Sequence, residues 1–205
     1  NMGLFYTGKG DGGVSDIGSL RGDENPELPK KKILVKDSII SEALGNLDEL
    51  NSLIGLVKHQ TISSDFVVVL EGVQETLFII QANVADALFR NPEKLGVMGD
   101  NVPKFPREKI EAMESKINEI EIEVSPEKSF VIPGATLSAS WLDFTRTVCR
   151  RTERSVVSFS KKYEIPAEIL SYTNRLSSLF FAMARAEVKR AGVSEKFPRY
   201  DRPNI

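Results

Sequence analysis

From Asp37 onward, apolar residues recur at three- and four-residue steps: Ile40, Ala43, Leu44, Leu47, Leu50, Ile54 and Val57 fall on one helical face. A strand repeats every second residue, so this spacing predicts a first helix, ending near His59. The helical period then returns four times. A second helix is expected over 63–89, capped by Ser63 or Ser64; its apolar residues run nearly all round, which predicts a central place. Pro106 suits the first turn of a third helix, 106–120, whose narrow stripe of Ile110, Met113, Ile117 and Ile120 predicts a peripheral one. A fourth helix covers about 135–162, and Pro166 opens a fifth over about 166–190. Five helices and no clear strand predict an all-α fold, a five-helix up-and-down bundle.

The remaining segments lack such periodicity. Residues 1–35 are glycine-rich and read as a loop segment, 36–190 as the bundle and 191–205 as an irregular tail, all in a single domain. Pro126 and the pair Pro133-Gly134 bracket a connector, "EKSFVI", that leads into the fourth helix.

Charge narrows the partners. Twenty-seven basic residues against twenty-nine acidic leave a net charge of -2, so no global positive field draws nucleic acid or an anionic membrane, and any anion site must be local. Cys149 and His59 are each single in the chain, which excludes a disulfide framework or a Cys/His zinc cluster within it and fits a reducing, cytoplasmic setting. No run approaches the roughly 18 apolar residues of a membrane span, so none is expected.

One local anion site is suggested by "RTVCRRTERSV", 146–156. At helical spacing Leu142, Arg146, Arg150, Glu153 and Val157 share one arc, apolar at both ends, so Arg146 and Arg150 are expected to be partly buried and Arg151 and Arg154 to face water. A buried guanidinium needs a carboxylate or a phosphate. Asp48 stands at the margin of the first helix's stripe, with Asn51 on the stripe and Gly55 near its edge, and Asn174 stands among apolar neighbours on the fifth helix. Pairing of Glu153 with Arg150 or Arg146 in a plain charge network remains open. "TGKGDGG", 7–13, offers four glycines whose N–H groups can approach a phosphate, with Thr7, Lys9 and Ser15 as side-chain donors. It lacks a Walker run or a βαβ context, so alone it suits a tail equally well.

The segments "YTGKGDGG", "LDELNSLIG", "FVIPG", "RTVCRRTER" and "NRLSSLFF" occur in this order between Tyr6 and Arg185. As a set they resemble the PduO-type ATP:cob(I)alamin adenosyltransferases. The resemblance implies a five-helix bundle assembled as a homotrimer, with ATP at subunit interfaces and cobalamin in an adjoining pocket. It implies transfer of the 5'-deoxyadenosyl group of ATP to the cobalt of cob(I)alamin, giving adenosylcobalamin and triphosphate. By resemblance Arg150 contacts the triphosphate and the transition state, Glu153 positions the nucleotide or the arginines, and Arg146 pairs across helices with Asp48 beside the cobalamin site. Asn51 joins that cobalamin-binding set and Asn174 lines the nucleotide region. Thr7, Lys9, Gly10, Asp11, Gly13 and Ser15 form the phosphate loop with Lys36 nearby, and Mg2+ bridges phosphate oxygens. Phe130 displaces the lower axial base of cobalamin, easing reduction to Co(I). A cob(II)alamin reductase and an adenosylcobalamin-dependent enzyme are the implied partners. The chain departs from the family pattern at Gly8, Ile40, Ala135, Asp143 and Ser178, which bears on phosphate contacts more than on fold. Two other readings stay open: a catalytically weak carrier or sensor of cobalamin or ATP, and a helical module that docks a protein through the fourth helix.

Overall fold

The computed structural model describes residues 11–17, 32–87 and 102–200. All five expected helices are present and the fold is all-α: α1 Ile39–Lys58, α2 Ser64–Asp86, α3 Glu108–Val124, α4 Leu137–Ser160 and α5 Ala167–Arg190. Helix α1 lies between α2 and α4, and α5 between α4 and α3. The apolar stripes meet in one core, where Leu47, Leu50, Ile54, Leu77, Leu142, Phe159, Leu176 and Phe180 are fully buried. Each such side chain contributes about 1.5–3 kcal/mol relative to exposure.

Local chemistry sets the helix ends. Ser38 and Thr136 cap α1 and α4 by accepting from the N–H groups of Ser41, at 3.3 Å, and Ala139, at 3.1 Å. The predicted serine cap of α2 is not made: Ser63 stands at the N-cap position without a side-chain bond. Glu187 of α5 takes over, fully buried, its carboxylate accepting from the Thr61 hydroxyl at 2.6 Å and the N–H groups of Ile62 and Ser63 at 3.0 and 3.2 Å. The positive end of the α2 dipole favours a carboxylate there. Burial pushes the Glu187 carboxyl up, but the bonds from Ser63, Thr61 and Ile62 outweigh it and hold the group below the usual range.

Four further expectations are corrected. Helix α3 starts two residues later than expected and runs four further, to Val124. Its last carbonyls are captured from α5, where Lys189 Nζ donates to the oxygens of Glu123 and Val124. Helix α2 is not central, since it packs chiefly on α1 and leaves Val68 70% and Phe78 64% exposed. By length and composition α2 could also cross a membrane, contrary to the expectation that no run came near, yet Leu70, Leu77, Ile80 and Val84 bury one side of it in the bundle.

The fourth correction concerns strands. Val14–Ile17 (β1) and Lys32–Val35 (β2) form an antiparallel ribbon in register Val14↔Val35 to Ile17↔Lys32. Four residues are too few for alternation to stand out in a glycine-rich setting. The ribbon sits directly on α1: Lys36 N–H donates to Gly13 O at 3.0 Å, and Val35 O accepts from the Ser38 N–H and the Ser41 hydroxyl, each at 3.0 Å. Gly13 has a φ of 76°, a left-handed conformation that favours glycine.

On the seam between α4 and α5, Cys149 is buried, with its thiol 3.8 Å from the Thr173 carbonyl oxygen. Burial pushes the thiol pKa far up, with Glu153 adding and Arg150 opposing.

Candidate active site

Helices α4 and α5 run antiparallel, so residues with rising numbers on one meet falling numbers on the other. Glu153 Oε1 accepts from Asn174 Nδ2 at 2.7 Å, and Asn174 Oδ1 accepts from Arg175 Nη1 at 3.1 Å. Glu153 is thus held by an amide, not by Arg150 or Arg146, and the plain charge network is not formed within the chain. Arg150, one turn before Glu153, is exposed and has no ion pair or hydrogen bond among the described residues. This corrects its expected partial burial. Its position outside the packed seam leaves an unneutralised guanidinium beside a fixed carboxylate and a fixed amide, an arrangement suited to a polyanionic ligand.

Arg146 is partly covered, with 29% of its side chain exposed, and its nearest carboxylate is Asp143, Nε to Oδ1 at 3.8 Å. Its buried Nε lacks a hydrogen-bond acceptor. Asp48 is exposed on α1 and pairs with nothing among the described residues, so the implied Arg146–Asp48 pair is not made inside one chain. Arg151 is exposed, as expected, and also braces α4 to α1: Nη2 bonds Glu49 Oε2 at 2.5 Å and Nε bonds Asn46 Oδ1 at 3.2 Å. It lies on the α1 side of α4, next to Thr152, whose hydroxyl bonds Asn46 O. Arg154 is exposed, as expected.

Asn51 is buried and its Oδ1 has no hydrogen-bond partner, while its backbone oxygen takes Gln74 Nε2 at 3.0 Å. The space beside Gly55 is filled by Gln74, whose Nε2 stands 3.5 Å from where a Cβ would lie. Phe130 is 78% exposed in the connector before α4. A phenylalanine kept for core packing would be covered; this ring is free to meet a ligand. Departing residue Ile40 is core, 2% exposed.

The ribbon brings Gly13 and Lys36 side by side through their backbones, joining two parts of the implied phosphate site that lie far apart in sequence. Asp11 is exposed next to them. Thr7, Lys9 and Gly10 lie outside the described residues; Ser15 is placed in β1 by its backbone, its side chain outside them too. Among the described residues no group of three or more His, Cys, Asp or Glu side chains could hold a metal ion.

Sequence reasoning missed a buried pair. Asp143 and Arg185, each 4% exposed, are joined by a 2.5 Å bond from Nη2 to Oδ2. Arg185 Nη1 reaches Glu195 Oε1 at 3.1 Å, and its guanidinium lies 5.0 Å from the Phe181 ring centre. The available signal was a single cation inside the apolar run "FFAMARAEV".

Comparison with known proteins identifies the family. The family described as cobalamin adenosyltransferase matches residues 5–187. The corrinoid adenosyltransferase of Bacillus subtilis is 34% identical over 195 residues, 93% of this chain and 90% of that protein. A corrinoid adenosyltransferase of Homo sapiens is 30% identical over 194 residues, 94% of this chain and 72% of its own length. Among solved structures, a variant PduO-type ATP:corrinoid adenosyltransferase from Lactobacillus reuteri complexed with cobalamin and ATP superposes with a TM-score of 0.77 at 29% identity, covering 95% of this chain and 99% of that one. With its bundle, its arginine row and these matches together, the chain belongs to the cobalamin adenosyltransferase family.

Proposed function

We propose that the protein is an ATP:cob(I)alamin adenosyltransferase in which the Arg150 row receives the triphosphate of ATP. In this reaction the electron pair of Co(I) attacks the ribose C5', a Co–C bond forms, and the C5'–O bond breaks with its electrons leaving on triphosphate. Negative charge therefore grows on the leaving group. The observation that carries the reading is the unpaired Arg150 guanidinium standing one turn from a Glu153 already fixed by Asn174. A cation placed before the reaction stabilises that charge without reorganisation.

The other residues divide the remaining work. Lys36 and the end of the glycine loop at Gly13 meet the phosphates, Asn174 and Glu153 orient the nucleotide, and Asn51 offers an unsatisfied buried acceptor toward the corrinoid side. Mg2+, which takes hard oxygen donors, is assigned to the triphosphate oxygens. The exposed Phe130 ring takes the place of cobalamin's lower axial base and keeps water from the cobalt.

Asp48 and Arg146, not paired with each other inside the chain, meet across the boundary between copies in a homotrimer. A cytoplasmic location, an electron-supplying cob(II)alamin reductase and a downstream adenosylcobalamin-dependent enzyme complete the proposal. The test is incubation of the purified protein with ATP, Mg2+ and chemically reduced cobalamin. The expected result is the spectrum of adenosylcobalamin with one triphosphate released per product; tight cobalamin binding with no triphosphate would instead identify a carrier.

A further inference from the structure

The connector that carries Phe130 has little of its own to hold it. The ring is 78% exposed, so side-chain packing does not place it. Between Pro126 and Ala135, one hydrogen bond among the described residues reaches a distant segment: Ile132 N–H donates to Lys196 O at 2.8 Å, and the two residues form an isolated antiparallel bridge. The residue before Lys196 is Glu195, whose carboxylate is 3.1 Å from Arg185 Nη1. Arg185 is itself buried and held by Asp143 on α4, which also faces Arg146. A continuous chain of contacts therefore leads from the arginine row, through Asp143, Arg185 and Glu195, to the backbone two residues beyond Phe130.

We propose that residues 195–196 act as a strap that sets the position of Phe130 against the corrinoid, with Glu195 as its positioning residue. Arg185 anchors the strap: its buried guanidinium is hydrogen-bonded to Asp143 and stands at ion-pair distance, 3.1 Å, from Glu195 Oε1, so the opposite charges draw the tail to one place. Glu195 touches neither substrate. It acts through the Ile132–Lys196 bridge, and the inference rests on the reading that Phe130 displaces the lower axial base.

The experiment compares wild type, Glu195→Ala, Glu195→Asp and Phe130→Ala in the full chain. Measured are the exchange rate of the Ile132 amide hydrogen, the fraction of enzyme-bound cob(II)alamin in its four-coordinate form, ATP affinity, and turnover started from either Co(II) or chemically prepared Co(I). For Glu195→Ala, Ile132 exchange should accelerate at least about tenfold and the four-coordinate fraction should fall severalfold. ATP affinity and turnover from Co(I) should stay within about twofold, and Glu195→Asp should recover most of the loss. Unchanged Ile132 exchange, or an unchanged four-coordinate fraction where Phe130→Ala loses it, overturns the strap and leaves the Phe130 reading standing. A four-coordinate fraction that survives Phe130→Ala overturns both.

Discussion

Single residues divide here between those that hold the bundle and those left over for ligands. The proposed function puts Arg150 in the second group, and no described partner would lose a bond with it. Arg150→Ala should lower kcat by about 100- to 1,000-fold, the usual range for removing one preorganised charge-stabilising donor, while the melting temperature stays within about 2 °C of wild type. Glu187 belongs to the first group. Its folded carboxyl is held below the usual range, so between the folded and unfolded values the unfolded chain binds more protons. Its stabilisation is complete above the ordinary glutamate range and is lost as pH falls through the lowered folded value. Glu187→Gln should flatten that part of an acid-unfolding profile, and Glu187→Ala should cost about 3 kcal/mol in urea titrations by leaving buried donors unpaired. That Arg146, Arg150 and Glu153 share a face was legible from periodicity, because helical spacing fixes it; that Arg150 lies exposed on that face was not. Glu187 was not: its partners Thr61, Ile62 and Ser63 lie more than 120 positions away and only the closed bundle brings them together.

Among whole elements, the helices were legible wherever an apolar stripe ran their length, and less so where another helix set the end. The last turn of α3 exists with help from Lys189, and Arg190 ties the same region together, bonding Glu123 at 2.7 Å and Asp65 at 2.8 Å and lying 4.5 Å from the Phe66 ring centre. Arg190→Ala should cost about 1–2 kcal/mol, measured by denaturant unfolding, and less at high salt, since these pairs are partly exposed. The misplacement of α2 has a different cause. An apolar outer face and an apolar inner face look alike in sequence, and packing on α1 rather than in the middle of the bundle is decided by the other four helices.

For the whole molecule, the order of the short motifs carried more information than any one of them. The glycine-rich start is weak alone, yet the ribbon places Gly13 at the entrance to α1 beside Lys36, and the connector presents Phe130 at the N-terminal end of α4. Assembly of copies is the remaining scale. Light scattering should give three times the chain mass for wild type, and Asp48→Ala should shift that value toward monomer at low protein concentration while the helical circular dichroism is kept. One feature of the α4–α5 seam offers an independent gauge of this machinery. Because the chain's sole thiol, Cys149, is shut between the helices that carry Arg150 and Asn174 and resists ionisation, maleimide should label the native protein only as fast as those helices part, making the unmodified wild type its own clock for breathing of the α4–α5 seam.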